Sequence, residues 1–216
     1  MIAPAAPPAR GLGVPIWPAF VALLLIGGLY LSVSERLTLG PPWLPLVAVV
    51  ALLVPRAVAL LRGHHFLTRQ LGLILISLLT LAVVASTVFL VGALLGRTLA
   101  AAVLLRGAAV VWVANLLTFA VWYWEIDAGG PAARHRHHHA SADFVFPQLA
   151  ASNPAPAQGW SPGFVDYLFL AFNTSTAFSP TDTMILSRRA KLLMMLQSLI
   201  SLVVIAVLAA RAINTL

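Results

Sequence analysis

Six side chains in the C-terminal quarter have the types and spacing to handle an ion or a proton: Asp166, Thr174, Thr176, Asp182, Gln197 and Ser201. A carboxylate at membrane depth attracts cations or carries protons. Hydroxyl and amide oxygens can replace water around an ion. Asp166 opens an apolar helical stretch, Gly163–Phe178, which ends in Asn173-Thr174-Ser175-Thr176. Ser179-Pro180-Thr181-Asp182 then breaks the helix, since Pro180 fixes φ and removes an N–H. Arg188, Arg189 and Lys191 precede a long apolar run, on which Gln197, Ser198 and Ser201 lie close enough to face the broken segment. A further charge, Arg106, sits about two turns inside another apolar run. It either snorkels to the interface or pairs with a buried acid.

The elements that must hold these residues are read from composition. Of 216 residues, 61% are hydrophobic and 9% charged, against about 25% charged in a soluble domain. So little charge cannot cover a surface facing water, and the partner is the lipid bilayer. The net charge of +7 then fits basic residues facing anionic headgroups, not nucleic acid. Cysteine is absent, which excludes disulfides, thiolate metal sites and a cysteine nucleophile. Arginine far outnumbers lysine and alanine is abundant, the composition of a GC-rich bacterial genome.

Residues 1–15 read as a flexible Pro/Ala tail. Residues 16–124 hold four apolar runs near the roughly 20 residues that one crossing needs: Ile16–Val33, Trp43–Leu61, Leu71–Leu94 and Leu99–Trp124. Arg56 lies near the end of the second and is expected to snorkel. Trp122-Tyr123-Trp124 ahead of Glu125 reads as an interfacial belt. Residues 125–162 form a polar loop rich in His and Pro. Its His135, His137, His138 and His139 cannot all face one ion, and no acid or thiol completes a metal site. Asp143–Pro147 is expected to be ordered, with Phe144 and Phe146 docking at the membrane surface. Residues 163–216 hold the broken segment and the last span, Leu192–Ile213. The fold class is therefore an all-α membrane protein, five transmembrane helices plus one short re-entrant or sixth spanning helix.

Residues 166–182 align without a gap on the pore helix and filter of potassium channels, and resemble them. Thr174 and Thr176 fall on the two outer threonines of that pattern, and Asp182 on its closing aspartate. The resemblance implies a pore-loop architecture. It does not extend to selectivity, because Ser179 and Thr181 replace the two glycines whose backbone freedom aims carbonyls at the ion.

The C-terminal half is also similar to a large family of bacterial integral membrane proteins. The residues that carry this are Tyr123, Gly129, Gly130, Phe146, Pro147, Asp166, Tyr167, Leu168, Phe169, Ala171, Phe172, Thr181, Asp182, Arg188, Arg189, Ser198 and Asn214. That resemblance implies a multi-pass protein and carries no activity.

With the N-terminus cytoplasmic and Gly163–Asp182 dipping back, nine basic residues face the cytoplasm: Arg10, Arg56, Arg62, Arg69, Arg134, Arg136, Arg188, Arg189 and Lys191. Three, Arg36, Arg97 and Arg211, face out. This bias favours a plasma-membrane protein, of the bacterial inner membrane, in that orientation. The alternative is a full crossing by 164–180, which puts the basic cluster outside.

Two functions follow. The first is an ion channel- or transporter-like protein passing a monovalent cation or proton, possible as a homo-oligomer. The second is a structural or accessory membrane protein in which Asp166 and Asp182 pair with Arg106 or Arg188. An enzyme is not expected, because HExxH, GxSxG and paired catalytic carboxylates are all missing. No cofactor and no catalytic residue is expected.

Overall fold

The computed structural model describes residues 16–134, 142–150, 160–180 and 182–213. Arg10, Arg136, the His135–His139 run, Thr181 and Asn214 lie outside them. The elements in chain order are α1 (Trp17–Tyr30), a 3-10 turn (Glu35–Leu37), α2 (Leu44–Leu61), α3 (His65–Gly96) and α4 (Ala101–Ile126). After a 3-10 turn at Asp127–Gly129 come α5 (Pro131–Arg134), β1 (Phe144–Val145), α6 (Pro147–Ala150), α7 (Phe164–Thr176), β2 (Met184–Ile185) and α8 (Arg188–Ile213). Among the described residues the fold is all-α apart from the two-residue strand pair.

Four helices, α2, α3, α4 and α8, are long and apolar enough to cross a membrane. The expected first span is shorter than the sequence suggests. Its helix has 14 residues, about 21 Å at 1.5 Å per residue. It stops at Tyr30, where Ser32 Oγ donates to the Leu29 carbonyl at 2.8 Å and competes with the helical ladder. α3, in contrast, runs six residues further back than expected, to His65.

α4 is the central helix. It packs against α1, α3, α7 and α8, while α2 packs against α1 and α3. Its final turns are buried almost all round, from Thr118 to Val121 and again from Tyr123 to Ile126. The expected interfacial belt is therefore half wrong. Tyr123 and Trp124 are at 0% exposure inside the protein, because the chain after α4 folds back over them. Antiparallel α4 and α8 define two ends of the bundle. At one end Arg211 donates to the Leu99 carbonyl (3.2 Å) and Arg36 to the Thr98 carbonyl (3.2 Å). At the other, Arg189 donates to the Ile126 carbonyl (3.1 Å).

The segment after Gly163 starts and finishes at this second end. Gly163 N–H donates to Asp166 Oδ2 (2.7 Å), which fixes the start of α7. α7 spans 13 residues, about 20 Å, and ends at a turn where Phe178 takes φ +53°. The chain then returns, and β2 pairs antiparallel with β1, Phe144 opposite Ile185 and Val145 opposite Met184.

Helix contacts use glycine where backbones approach. A Cβ on Gly27 would lie 2.9 Å from Leu46 Cα, a backbone atom that cannot swing away. Gly27→Ala is expected to push α1 off α2 and cost about 1–3 kcal/mol, read as a lower midpoint of unfolding in detergent.

Candidate functional site

The chain has six acidic residues. Three of them, Glu125, Asp127 and Asp143, are buried at 1–2% exposure and gather at the C-terminal end of α4. Each meets an arginine: Arg56, Arg134 and Arg189 respectively. A charge leaves water at such a place only if it is paired and hydrogen-bonded.

Glu125 receives the Nη2 of Arg56, which reaches it from α2. Sequence reasoning expected Arg56 to snorkel. Instead its side chain is 2% exposed, because Glu125 at the end of α4 offers it a buried counter-charge. Gly72 on α3 makes room, since a Cβ there would sit 2.9 Å from the guanidinium carbon. Phe20 on α1 covers the group, 5.3 Å from its ring centre.

Asp127 lies where the chain turns back. Ala128, Gly129 and Gly130 take φ of +50°, +83° and +97°, a left-handed run that glycine makes accessible. The turn carries Arg134 over the Trp124 ring at 4.4 Å and the Tyr167 ring at 5.0 Å. Arg134 Nη1 donates to the Trp124 carbonyl (2.9 Å) and to Tyr167 Oη (2.9 Å). Tyr167 in turn donates to Asp127 Oδ2 (2.5 Å). The other oxygen of Asp127 accepts the backbone N–H groups of Asp143 (2.8 Å) and Phe144 (3.3 Å). One carboxylate thereby ties together the end of α4, strand β1 and helix α7.

Asp143 is held by both ends of the Arg189 fork, Nε to Oδ1 at 2.7 Å and Nη2 to Oδ2 at 2.6 Å. Arg189 is half exposed while Asp143 is buried, so this pair is the layer's outer edge. Arginine protons on the carbonyls of Trp124 and Ile126 also offset the negative end of the α4 dipole, which three nearby acids would otherwise worsen. Phe144 and Phe146, expected at the membrane surface, instead face inward at 1% and 4% exposure. They stack edge-on to Tyr167 at 6.2 and 5.4 Å.

A second polar knot lies deeper. Gln197 is nine residues beyond Arg188, roughly 14 Å along α8, and is wholly buried. Its Nε2 donates to the Ala171 carbonyl (2.8 Å) and to Ser175 Oγ (2.7 Å), both on α7. Its Oε1 accepts the Tyr123 hydroxyl of α4. Asn115 on α4 donates to Ser201 Oγ at 2.8 Å, and Ser198 reaches the Thr174 carbonyl at 3.5 Å. Three helices are stitched by one amide and its neighbours.

The proposed pore residues thus divide. Thr174, Gln197 and Ser201 come together, buried at 0–1% exposure. Thr176 and Asp182 are exposed and do not join them. Thr176 returns its hydroxyl to the Phe172 carbonyl at 2.9 Å, Thr174 to Leu170 at 2.8 Å, which satisfies hydroxyls within their own helix. Asp166 is spent on the α7 cap. Neither it nor Asp182 forms an ion pair among the described residues; the arginines that carry ion pairs are Arg56, Arg134 and Arg189. Arg106 is exposed on α4.

Sequence reading missed Glu125, Asp127 and Asp143 as a set, and Asn115. A signal was present: half of a very small acid complement falls within nineteen residues beside the end of an apolar helix. Among the described residues no three His, Cys, Asp or Glu side chains gather as a metal site. The carboxylates of Asp127 and Asp143 have both oxygens engaged by donors, so the layer acts as an electrostatic clamp. No protein-family model, curated protein or solved structure matches the chain, so its two sequence resemblances rest on the residues that carry them.

Proposed function

We propose that this chain is a multi-pass protein of the bacterial plasma membrane that serves as a non-conducting structural or accessory component. In this reading the N-terminus is cytoplasmic, α1 to α4 and α8 cross, and α7 dips from the cytoplasmic side and returns. The observation that carries it is the Gln197 knot. The polar groups expected to line a path are consumed in bonds between α4, α7 and α8, and polar backbone at membrane depth is tolerated when buried in protein. The return of β2 to β1 supports a dip rather than a full crossing.

The test is ion flux in proteoliposomes. The expected result is no cation, anion or proton flux above empty vesicles, together with a stoichiometric partner chain on mild pull-down from native membranes. Saturable flux that Asp182→Asn abolishes would sink this reading. It would favour a second one, a channel-like homo-oligomer for a monovalent cation or proton. That alternative is motivated by exposed Thr176 and Asp182 at the tip and return of the dip, where copies of the chain could line a shared path.

A further inference from the structure

Beside the Arg56–Glu125 pair lies a cavity of about 230 Å³ between α1, α2, α3 and the turn after α4. Its lining includes Arg56, Arg69, His65 and Glu125. Arg56 gives Nη2 to Glu125, but its Nε and Nη1 are buried with no hydrogen-bond partner. The Nε of Arg69 is buried and unmatched as well. Two arginines and one carboxylate line the cavity, so the lining carries an excess positive charge. A pair built only to hold α2 on α4 would balance its charges. It would not leave several buried N–H groups unmet, each costly without an acceptor.

The geometry points to a binding site for a phosphate-bearing anion. Arg56 and Arg69 approach from two helices, α2 and α3. That suits a tetrahedral oxyanion, whose charge is spread over oxygens pointing in several directions, better than a planar carboxylate. The volume holds about eight waters at ~30 Å³ each, enough for a phosphate with a small appendage. Apolar Phe20, Leu60 and Phe66 complete the wall, and Phe66 is 79% exposed at its rim. A glycerol backbone would rest against such a lip. The phosphate belongs either to an anionic phospholipid headgroup or to a soluble phosphate. The lipid source rests on the membrane placement proposed above; the soluble source does not.

The experiment uses the full chain, purified in detergent and stripped of lipid. Unfolding midpoints are followed while inorganic phosphate, phosphatidylglycerol or phosphatidylcholine is titrated. Wild type is compared with Arg69→Gln, which breaks no ion pair, and with Arg62→Gln, an equal charge change outside the cavity. A saturable rise in midpoint is expected with phosphatidylglycerol or phosphate, and none with phosphatidylcholine. Arg69→Gln should raise the half-saturating concentration roughly tenfold or more, the loss of one charged hydrogen bond. Arg62→Gln should leave it unchanged. A response to phosphatidylglycerol alone assigns the lipid, and a response to both assigns the free oxyanion. Equal responses in wild type and Arg69→Gln, or no saturable response to either anion, would mean that the cavity holds water only and would overturn the assignment.

Discussion

Replacing Glu125 by glutamine should destabilise the protein by about 3–5 kcal/mol, the cost of leaving a buried charge without its partner. The substitution keeps shape and an acceptor oxygen, so the loss reports charge and not packing. Arg56 cannot escape by rotating outward. Gly72 and Phe20 confine its guanidinium, and its side chain is 2% exposed. The second half of the expectation is the sharper one. The double variant Arg56→Met, Glu125→Leu should recover to within about 1–2 kcal/mol of wild type, because an apolar pair of similar volume replaces a costly ionic one. Equilibrium unfolding in mixed micelles of wild type, Arg56→Met, Glu125→Leu and the double variant gives all the corners of the cycle. A double variant no better than the single would show that the arginine is needed for more than its charge.

Asp127→Ala should be nearly as damaging, by about 3–4 kcal/mol. Three donors lose their acceptor at once, Asp143 N–H, Phe144 N–H and Tyr167 Oη, and each buried unmet donor costs about 1–3 kcal/mol before relaxation. Asp127→Asn retains an oxygen for the two backbone groups and should lose about half as much. The two variants also differ in where the loss appears. Because Asp127 joins α4 to β1 and α7, the alanine variant should expose residues 142–150 and the start of α7 to protease while α3 and the buried part of α8 stay protected. Mass mapping of the cleavage fragments checks this; uniform cleavage along the chain would contradict it.

Both variants act at positions that only half announced themselves in sequence. Low charge and apolar runs of crossing length made an all-α membrane bundle legible. That follows because a chain without water around it must satisfy its backbone internally, and four helices duly have the length and apolarity to cross. The break at Ser179–Pro180 was legible too, since proline cannot continue a helix. The closeness of Gln197 and Ser201, four residues apart on α8, was legible from the helical period, and both are buried against neighbouring helices.

Partner choice was not legible. Arg56 and Glu125 are 69 positions apart, Asp143 and Arg189 46 apart. Nothing in local spacing says which arginine of twelve will face which acid, because the choice is made by how helices cross. The same holds for the aromatic residues near 122–124 and 144–146. By type they suit a membrane interface, and the turn through Ala128–Gly130 buries most of them instead.

Of the six side chains that the sequence offers for handling an ion, Thr174, Gln197 and Ser201 are buried between helices, while Thr176 and Asp182 are exposed. A polar helix broken at Ser179–Pro180 ahead of the last apolar run, and lacking the potassium-filter glycines, is legible in the residues alone. The packing of α4, α7 and α8 sets that Thr174, Gln197 and Ser201 are buried glue, and that Asp166 is a helix cap. Helix packing also makes the arginine–carboxylate layer at the end of α4 the chemically charged region. Burial sets what a polar side chain can do. A hydroxyl or amide beside a wet path binds an ion, and the same group between packed helices must spend its bonds on them.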